Sequence, residues 1–151
     1  MSEEKLKSID PEMATGFLVG RVAHQLQLRL ATALYDAGIS LSAEGVSILT
    51  ALANMDSAKK MSELAEILGR DATTLKRQLD GLVKAGLVER IPSVTDRRVV
   101  EVSVSAKGRQ LVASSMPVTM ALRKQAMHGI SKAKERELKA MLVRMLENLA
   151  G

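Results

Sequence analysis

A predicted helix over 72–85 begins with side chains that can form hydrogen bonds to a partner outside the chain. These polar and basic residues occupy its first turn and a half: Thr73, Thr74, Lys76 and Arg77. The apolar residues recur at intervals of three and four, which places them on one inward face: Leu75, Leu79, Leu82 and Val83. A guanidinium fork matches O6 and N7 of guanine, and hydroxyl and ammonium groups bind phosphate. The pattern fits contact with the major groove of duplex DNA, and by itself it fits a solvated helix face equally well.

A second polar cluster, Asp96, Arg97 and Arg98, lies in a predicted turn between two strands. The flanking strand patterns cover 87–91 and 100–104, and the second alternates strictly between apolar and polar residues. A basic hairpin beside a DNA-reading helix can reach an adjacent minor groove. The alternative is a solvated loop with a surface ion pair.

A shorter amphipathic pattern precedes the 72–85 helix. Ser62 is placed to cap its start, Gly69 to end it in a left-handed conformation, and Asp71 to cap the following helix. Two short helices followed by a basic hairpin predict a winged helix-turn-helix.

Five sequence fragments with this arrangement occur in order over 62–109: Ser-Glu-Leu-Ala, Thr-Thr-Leu-Lys-Arg-Gln-Leu-Asp-Gly-Leu, Lys-Ala-Gly-Leu-Val-Glu-Arg, Thr-Asp-Arg-Arg and Val-Ser-Ala-Lys-Gly-Arg. Together they resemble the MarR family of bacterial transcription regulators. A SlyA-like branch is a narrower interpretation of the same fragments.

The resemblance implies roles for the residues of the basic turn. Arg98 would insert into the minor groove, Asp96 would orient it, and Arg97 would contact the DNA backbone. A narrow minor groove has an enhanced negative potential, so an arginine there reads DNA shape more than base identity. The resemblance also implies repression that is relieved when a small-molecule effector binds.

The segments on either side of the winged helix are long apolar helical patterns. We expect a frayed polar segment over 1–9, a helix over 10–37, a helix from the cap Ser42 to residue 54, and a polar loop over 56–60. Two further helices are predicted, one capped by Ser105 and bent at Pro117 and a last one capped by Ser131.

The fold class that follows is mainly α with a small β-hairpin wing. We expect one domain over 1–151, with 42–104 as the winged helix that binds DNA and 10–37 and 106–150 as dimerisation helices. The apolar faces of the flanking helices exceed what one small core can cover, and the family resemblance implies a homodimer. A two-fold dimer would match a pseudo-palindromic operator in double-stranded DNA. An ordinary monomeric helical bundle is the alternative.

Composition narrows the function classes. The chain has 151 residues, 46% of them hydrophobic, and a net charge of +5, which fits one globular unit and permits nucleic-acid binding. Zero cysteines exclude thiol chemistry, and two aromatic residues, Phe17 and Tyr35, make stacking on single-stranded bases unfavourable. Because no apolar run is long enough to span a membrane, and no secretory signal is recognised, we expect a cytoplasmic protein without a membrane partner.

The sequence has no pattern typical of a catalytic, cofactor-binding or metal-binding site. His24 and His128 lie far apart without neighbouring ligand motifs, so we predict no metal, no cofactor and no enzymatic activity. The nine methionines are interpreted first as core residues, although flexible methionine surfaces also suit varied apolar ligands. The favoured function is a dimeric, sequence-specific DNA-binding regulator, a repressor relieved by a small molecule. The alternatives are a winged-helix protein assembly module and a non-specific architectural DNA-binding protein.

Overall fold

The structure is a computed structural model that describes residues 3–8 and 10–150. The described residues form seven helices and three short strands in this order: α1 (Glu3–Lys7), α2 (Pro11–Asp36), α3 (Ala43–Ala53), β1 (Lys59–Lys60), α4 (Met61–Leu68), α5 (Ala72–Lys84), β2 (Val88–Pro92), β3 (Val100–Val104), α6 (Ala106–Ala126) and α7 (Lys132–Leu149). The predicted fold, mainly helical with a small β-hairpin wing, is confirmed.

Two predictions are wrong, one for the N-terminal segment and one for the loop over 56–60. The segment expected to be frayed contains the helix α1, whose Glu-Glu-Lys-Leu-Lys sequence consists of residues with high helix propensity. The expected polar loop over 56–60 ends in the strand β1. A two-residue strand is too short to show an alternating pattern in sequence, and it forms only because β3 offers it a free edge.

The three strands form one antiparallel sheet in the order β1-β3-β2. In β3, Val102 lies opposite Lys59 of β1 on one side and opposite Arg90 of β2 on the other. The central strand is thus paired along both edges. Since β2 and β3 are adjacent in the sheet, the basic turn that joins them projects from the end of a hydrogen-bonded hairpin.

One hydrophobic core unites α3, α4, α5, the sheet and the start of α6. Its buried members come from every one of these elements: Ile48, Leu49, Leu52, Leu64, Leu75, Leu79, Leu82, Leu87, Val88, Val102, Val104 and Val112. A smaller cluster of Leu34, Ala43 and Val46 joins α2 to α3, with Val118 of α6 packed against it. The winged helix therefore has a complete core within a single chain.

The long flanking helices are far less buried. In α7 no residue is buried, although its sequence carries a continuous apolar stripe. Much of the apolar surface of α2 is also exposed, including Phe17, Val22 and Tyr35. The helix α6 continues through Pro117 without a break.

Most predicted helix caps are confirmed by hydrogen bonds from backbone N–H groups to side-chain oxygens. The distances are 3.0 Å at Ser42, 2.8 Å at Asp71, 3.0 Å at Ser105 and 3.3 Å at Ser131. The prediction for Ser62 is wrong, because α4 already begins at Met61. There the side chain of Glu63 accepts a hydrogen bond from the backbone N–H of Lys60 at 3.2 Å.

The junction between the sheet and α6 requires a glycine. The Ser105 hydroxyl donates to the carbonyl of Gly86 at 2.6 Å, and the Ser105 N–H donates to the carbonyl of Leu87 at 3.0 Å. These bonds draw the first turn of α6 onto the chain entering β2. A Cβ atom at Gly108 would lie 2.2 Å from the Leu87 oxygen, which is a backbone atom that cannot move aside.

We therefore expect Gly108→Ala to lower the free energy of unfolding by about 1 to 3 kcal/mol, because the added methyl group forces the junction apart. Gly81→Ala is the matched control, since a Cβ there has no neighbour within 4 Å and the helix should gain roughly 0.5 to 1 kcal/mol. Urea denaturation of the two variants measures both changes. Equal stability of the two variants would contradict the interpretation of this junction.

Candidate nucleic-acid interface

The helix α5 presents a polar face to solvent because its leucines are committed to the core. Leu75, Leu79 and Leu82 are buried, whereas Thr73 and Arg77 on the other side of the helix are exposed. Within the described part of the chain, Arg77 forms no ion pair or hydrogen bond through its guanidinium group. Its donors are available to an external acceptor.

The turn between α4 and α5 sets the start of this helix. Gly69 adopts φ +60°, a left-handed conformation that ends α4, and Asp71 caps α5. Hydrogen bonds from the Thr74 side chain, and then from its backbone N–H, hold the pKa of Asp71 below the usual range. The structure thus gives Thr74 a role in the helix cap, in addition to the DNA contact predicted for it.

Lys76 is less free than the sequence suggested. Its ammonium group lies 3.2 Å from a carboxylate oxygen of Asp80, one turn further along α5. The other oxygen of Asp80 accepts a hydrogen bond from Arg90 on β2. The Arg90 guanidinium, more than Lys76, holds the pKa of Asp80 below the usual range. The spacing of Lys76 and Asp80 was visible in the sequence, but the contact with Arg90 depends on the fold.

A second polar connection holds α5 against its neighbouring helices. Arg70, in the turn before α5, donates to the Gln78 side-chain oxygen at 3.0 Å. The Gln78 side-chain nitrogen donates in turn to Glu44 of α3 at 2.8 Å. This chain of three side chains uses both ends of the Gln78 amide. It fixes the position of α5 relative to α3, and no local sequence pattern pointed to it.

The basic turn of the wing is ordered by its own backbone and by Asp96. Ser93 donates its N–H to the Val99 carbonyl at 2.9 Å, which closes the turn. Asp96 accepts a hydrogen bond at 3.0 Å from the backbone N–H of Arg98. Among the described residues, the Arg98 guanidinium makes no ion pair with Asp96, so the carboxylate holds the Arg98 backbone and leaves the side chain exposed. The Arg97 side chain is exposed as well.

The structure does not bring the two histidines together into a site. His24 lies on α2 and His128 follows α6, and both are exposed. Among residues 3–8 and 10–150, no group of three or more histidine, aspartate or glutamate side chains could hold a metal ion. No helix in the same part of the chain is long and apolar enough to cross a membrane.

A groove of about 380 Å³ runs between α2 and α6. Its walls are largely apolar, with Val22 and Leu26 on one side and Leu122 on the other, and Arg21 and Arg29 also line it. No local sequence pattern predicts this groove, because the residues that line it on the two helices lie roughly a hundred positions apart in the chain.

These features define a winged helix-turn-helix protein with long helical extensions at both ends. The sequence model of the MarR family matches residues 41–100, which extend from just before α3 through the wing to the first residue of β3. Over this segment, which is about two fifths of the chain, the sequence is similar to the MarR family.

Solved structures of similar fold cover nearly the whole chain. A mutant MarR from E. coli, complexed with operator DNA, is 23% identical over 89% of this chain and 94% of its own, with a TM-score of 0.78. The S. aureus MepR–DNA complex is 19% identical over 93% and 99%, with a TM-score of 0.80. CouR from Rhodococcus jostii RHA1, bound to p-coumaroyl-CoA, is 23% identical over 89% and 93%, with a TM-score of 0.77. At these identities the similarity establishes the fold.

The Asp71 cap predicts a pH dependence of stability with a definite sign. Since its pKa is lowered on folding, the ionised cap stabilises the fold above the ordinary Asp pKa of 3.8, and this stabilisation is lost as the pH falls through the folded-state pKa. We expect Asp71→Ala to be less stable than the parent at pH 7 and to approach it near pH 3. Denaturation curves across this range measure the difference.

Asp71→Asn is the matched control, because an amide oxygen can still cap the helix but does not ionise. The stability difference between Asp71→Asn and Asp71→Ala should stay nearly constant with pH. If the parent differed from Asp71→Ala by the same amount at pH 3 and pH 7, the charge of Asp71 would have no part in the cap.

Proposed function

We propose that the protein is a homodimeric transcription regulator that binds specific pseudo-palindromic sites in double-stranded DNA in the cytoplasm. The observation that carries the proposal is the exposed face of α5, where Arg77 has no partner within the described chain while the leucines behind it complete a rigid core. A side chain held by a rigid helix and free to donate is what base recognition requires.

The similarity of residues 41–100 to the MarR family supports this function. So do the similar structures from E. coli and S. aureus, each of which is a complex with DNA. In the proposed complex α5 enters the major groove and the wing follows the backbone into the next minor groove. The net charge of +5 favours this encounter without providing sequence specificity.

Individual side chains have separate roles in the proposal. Arg77 contacts guanine, and Thr73 contacts either a phosphate or a thymine methyl group. Lys76 contacts phosphate from within its ion pair with Asp80, and Arg97 contacts the DNA backbone beside the wing. Arg98 enters the minor groove. Thr74 and Asp96 support these contacts by ordering the start of α5 and the backbone of the wing, respectively.

The dimer is proposed from the surface of the flanking helices. The apolar stripe on α7 remains exposed along its length, with Leu146 at 69% and Leu149 at 81% exposure. Several apolar residues of α2, among them Phe17 and Val22, are also exposed. An 18-residue helix without buried residues gains little from its own chain, and covering the stripe against a second copy supplies the missing burial. The proposed dimerisation segments remain 10–37 and 106–150.

Repression that is relieved by a small molecule is the proposed mode of regulation. The similar CouR structure has p-coumaroyl-CoA bound, which shows that this fold accepts an organic ligand. The chain contains no cysteine, so a bound molecule is the proposed signal in place of thiol oxidation. A regulator of this kind has no catalytic role.

Selection of bound sites from random duplex DNA, repeated at two salt concentrations, tests the proposed function. A recovered palindromic motif supports it. Binding that is sensitive to salt but yields no motif would instead indicate an architectural DNA-binding protein. No binding at either concentration would indicate a protein assembly module.

The dimer predicts that a charge on the α7 stripe separates the chains. We expect the parent to have about twice the chain mass of 16.3 kDa in light scattering, and Leu142→Glu to shift towards monomer or aggregate. Ala140→Glu adds the same charge to the opposite face of α7 and should remain dimeric. If both variants kept the mass of the parent, α7 would not lie in the interface.

Removal of Arg77 and removal of Arg98 should weaken DNA binding in different ways. Arg77→Ala should cost about 1 to 3 kcal/mol on the selected site and much less on random DNA, because it removes a base contact. Arg98→Ala should weaken binding to most duplexes, most strongly where the flanks are A/T-rich, and should lower the salt dependence by about one unit of charge.

Asp96→Ala should act as a milder form of Arg98→Ala, because the arginine remains while its backbone N–H loses the Asp96 carboxylate as hydrogen-bond acceptor. Equilibrium binding to sites that differ only in core or flank measures all three variants. If Arg98→Ala changed the core base preference and left the flank and salt dependence unchanged, the wing would have to contact DNA elsewhere.

A further inference from the structure

Asp80 lies where the recognition helix meets the strand that leads into the wing. One carboxylate oxygen accepts from Arg90 of β2 and the other from Lys76 of α5. Arg90 in turn is held in register opposite Val102 of the central strand. This carboxylate therefore connects the helix that carries Arg77 to the hairpin that carries Arg98.

The position of Asp80 also faces the proposed DNA surface. It follows Arg77 by three residues, so the two side chains share one side of the helix. The Asp80 side chain is 43% exposed and that of Lys76 is 67% exposed. A bare carboxylate at this place would repel phosphates, but paired with two cations it belongs to a group of net charge +1, which would rise to +2 if Asp80 were neutral.

Folding alone gives a weak reason for this arrangement. Exposed ion pairs contribute little to folding stability. Leu79 and Leu82 of α5 and Val88 of β2 are already buried in the common core, which holds the helix on the sheet. The carboxylate therefore acts mainly on where the two cationic side chains lie.

We propose that Asp80 is a positioning residue for specific DNA recognition: it holds Lys76 and Arg90 in place and keeps them from serving as mobile, sequence-independent phosphate contacts. The inference rests on the proposed function. Fixed cations favour the DNA geometry in which α5 and the wing both fit, whereas mobile cations follow any phosphate backbone.

Asp80→Asn tests the proposal because it keeps the size of the side chain and removes its charge. On random duplex DNA we expect affinity to rise about tenfold at low salt, and the salt dependence to steepen by about one to two units of charge, as Lys76 and Arg90 become free. The ratio of specific to non-specific affinity should fall by about tenfold, since the selected site gains less.

Glu89→Gln is the matched control. Glu89 precedes Arg90 on β2, is exposed, and forms no ion pair in the part of the chain that the structure describes. The substitution changes the net charge by the same amount. Its specificity ratio should stay within about twofold of the parent, with only the small rise in affinity that a general charge change produces.

Arg90→Gln removes the other partner of the same ion pair. It should lower the specificity ratio without steepening the salt dependence, because a cation is removed and none is released. The double variant Asp80→Asn/Arg90→Gln should lose less of the specificity ratio than the two single variants lose together, as expected for residues that act through one contact. If circular dichroism showed that Asp80→Asn does not fold, the specificity ratio of Arg90→Gln compared with that of Glu89→Gln would still test the proposal.

Two outcomes separate the inference from the function on which it rests. If the parent selects a palindromic site but Asp80→Asn and Glu89→Gln have the same specificity ratio and salt dependence, the role of Asp80 is overturned and the proposed function stands. If the parent selects no site, the proposed function fails, and the role of Asp80 in specific recognition fails with it.

Discussion

The burial of three leucines on α5 is the constraint on which the rest of the structure depends. Leu75, Leu79 and Leu82 fix the rotation of the helix, and that rotation alone decides that Arg77 faces outward. A turn of the helix by one residue would bury polar groups without partners and expose leucine, both of which are costly. The position of the proposed DNA-binding surface is therefore a consequence of core packing.

Local features of this fold were predictable from sequence, and contacts between distant segments were not. The caps at Ser42, Asp71, Ser105 and Ser131 each join residues three apart, so a short pattern contains the whole interaction. Ser62 is not a cap because α4 begins one residue earlier, at Met61, with Lys60 in the N-cap position. The reading helix and wing were found for the same local reason, whereas β1 is defined only by its pairing with β3.

The polar contacts around α5 show where such prediction stops. Lys76 and Asp80 are neighbours on one helix, yet the contact of Asp80 with Arg90 exists only because the sheet packs beside α5. Gln78 joins Arg70 to Glu44, which lies 34 positions away in sequence. Asp96 was expected to orient an arginine, and the structure shows it bonded to the Arg98 backbone. Residue type and spacing identified the surface, and the fold determines which of its charges are already paired.

That division between paired and unpaired cations bears on how a regulator separates its site from other DNA. Every duplex presents the same phosphates, so each mobile cation raises affinity for all sequences alike. Arg77 and Arg98 are exposed without an ion pair in the described chain, while Lys76 and Arg90 share one carboxylate. A surface on which some cations are held by internal partners loses part of its general affinity, and the share of binding that depends on base edges and groove shape rises accordingly. On such a surface, specificity depends on the internal ion pairs that hold some cations in place as much as on the side chains that contact bases.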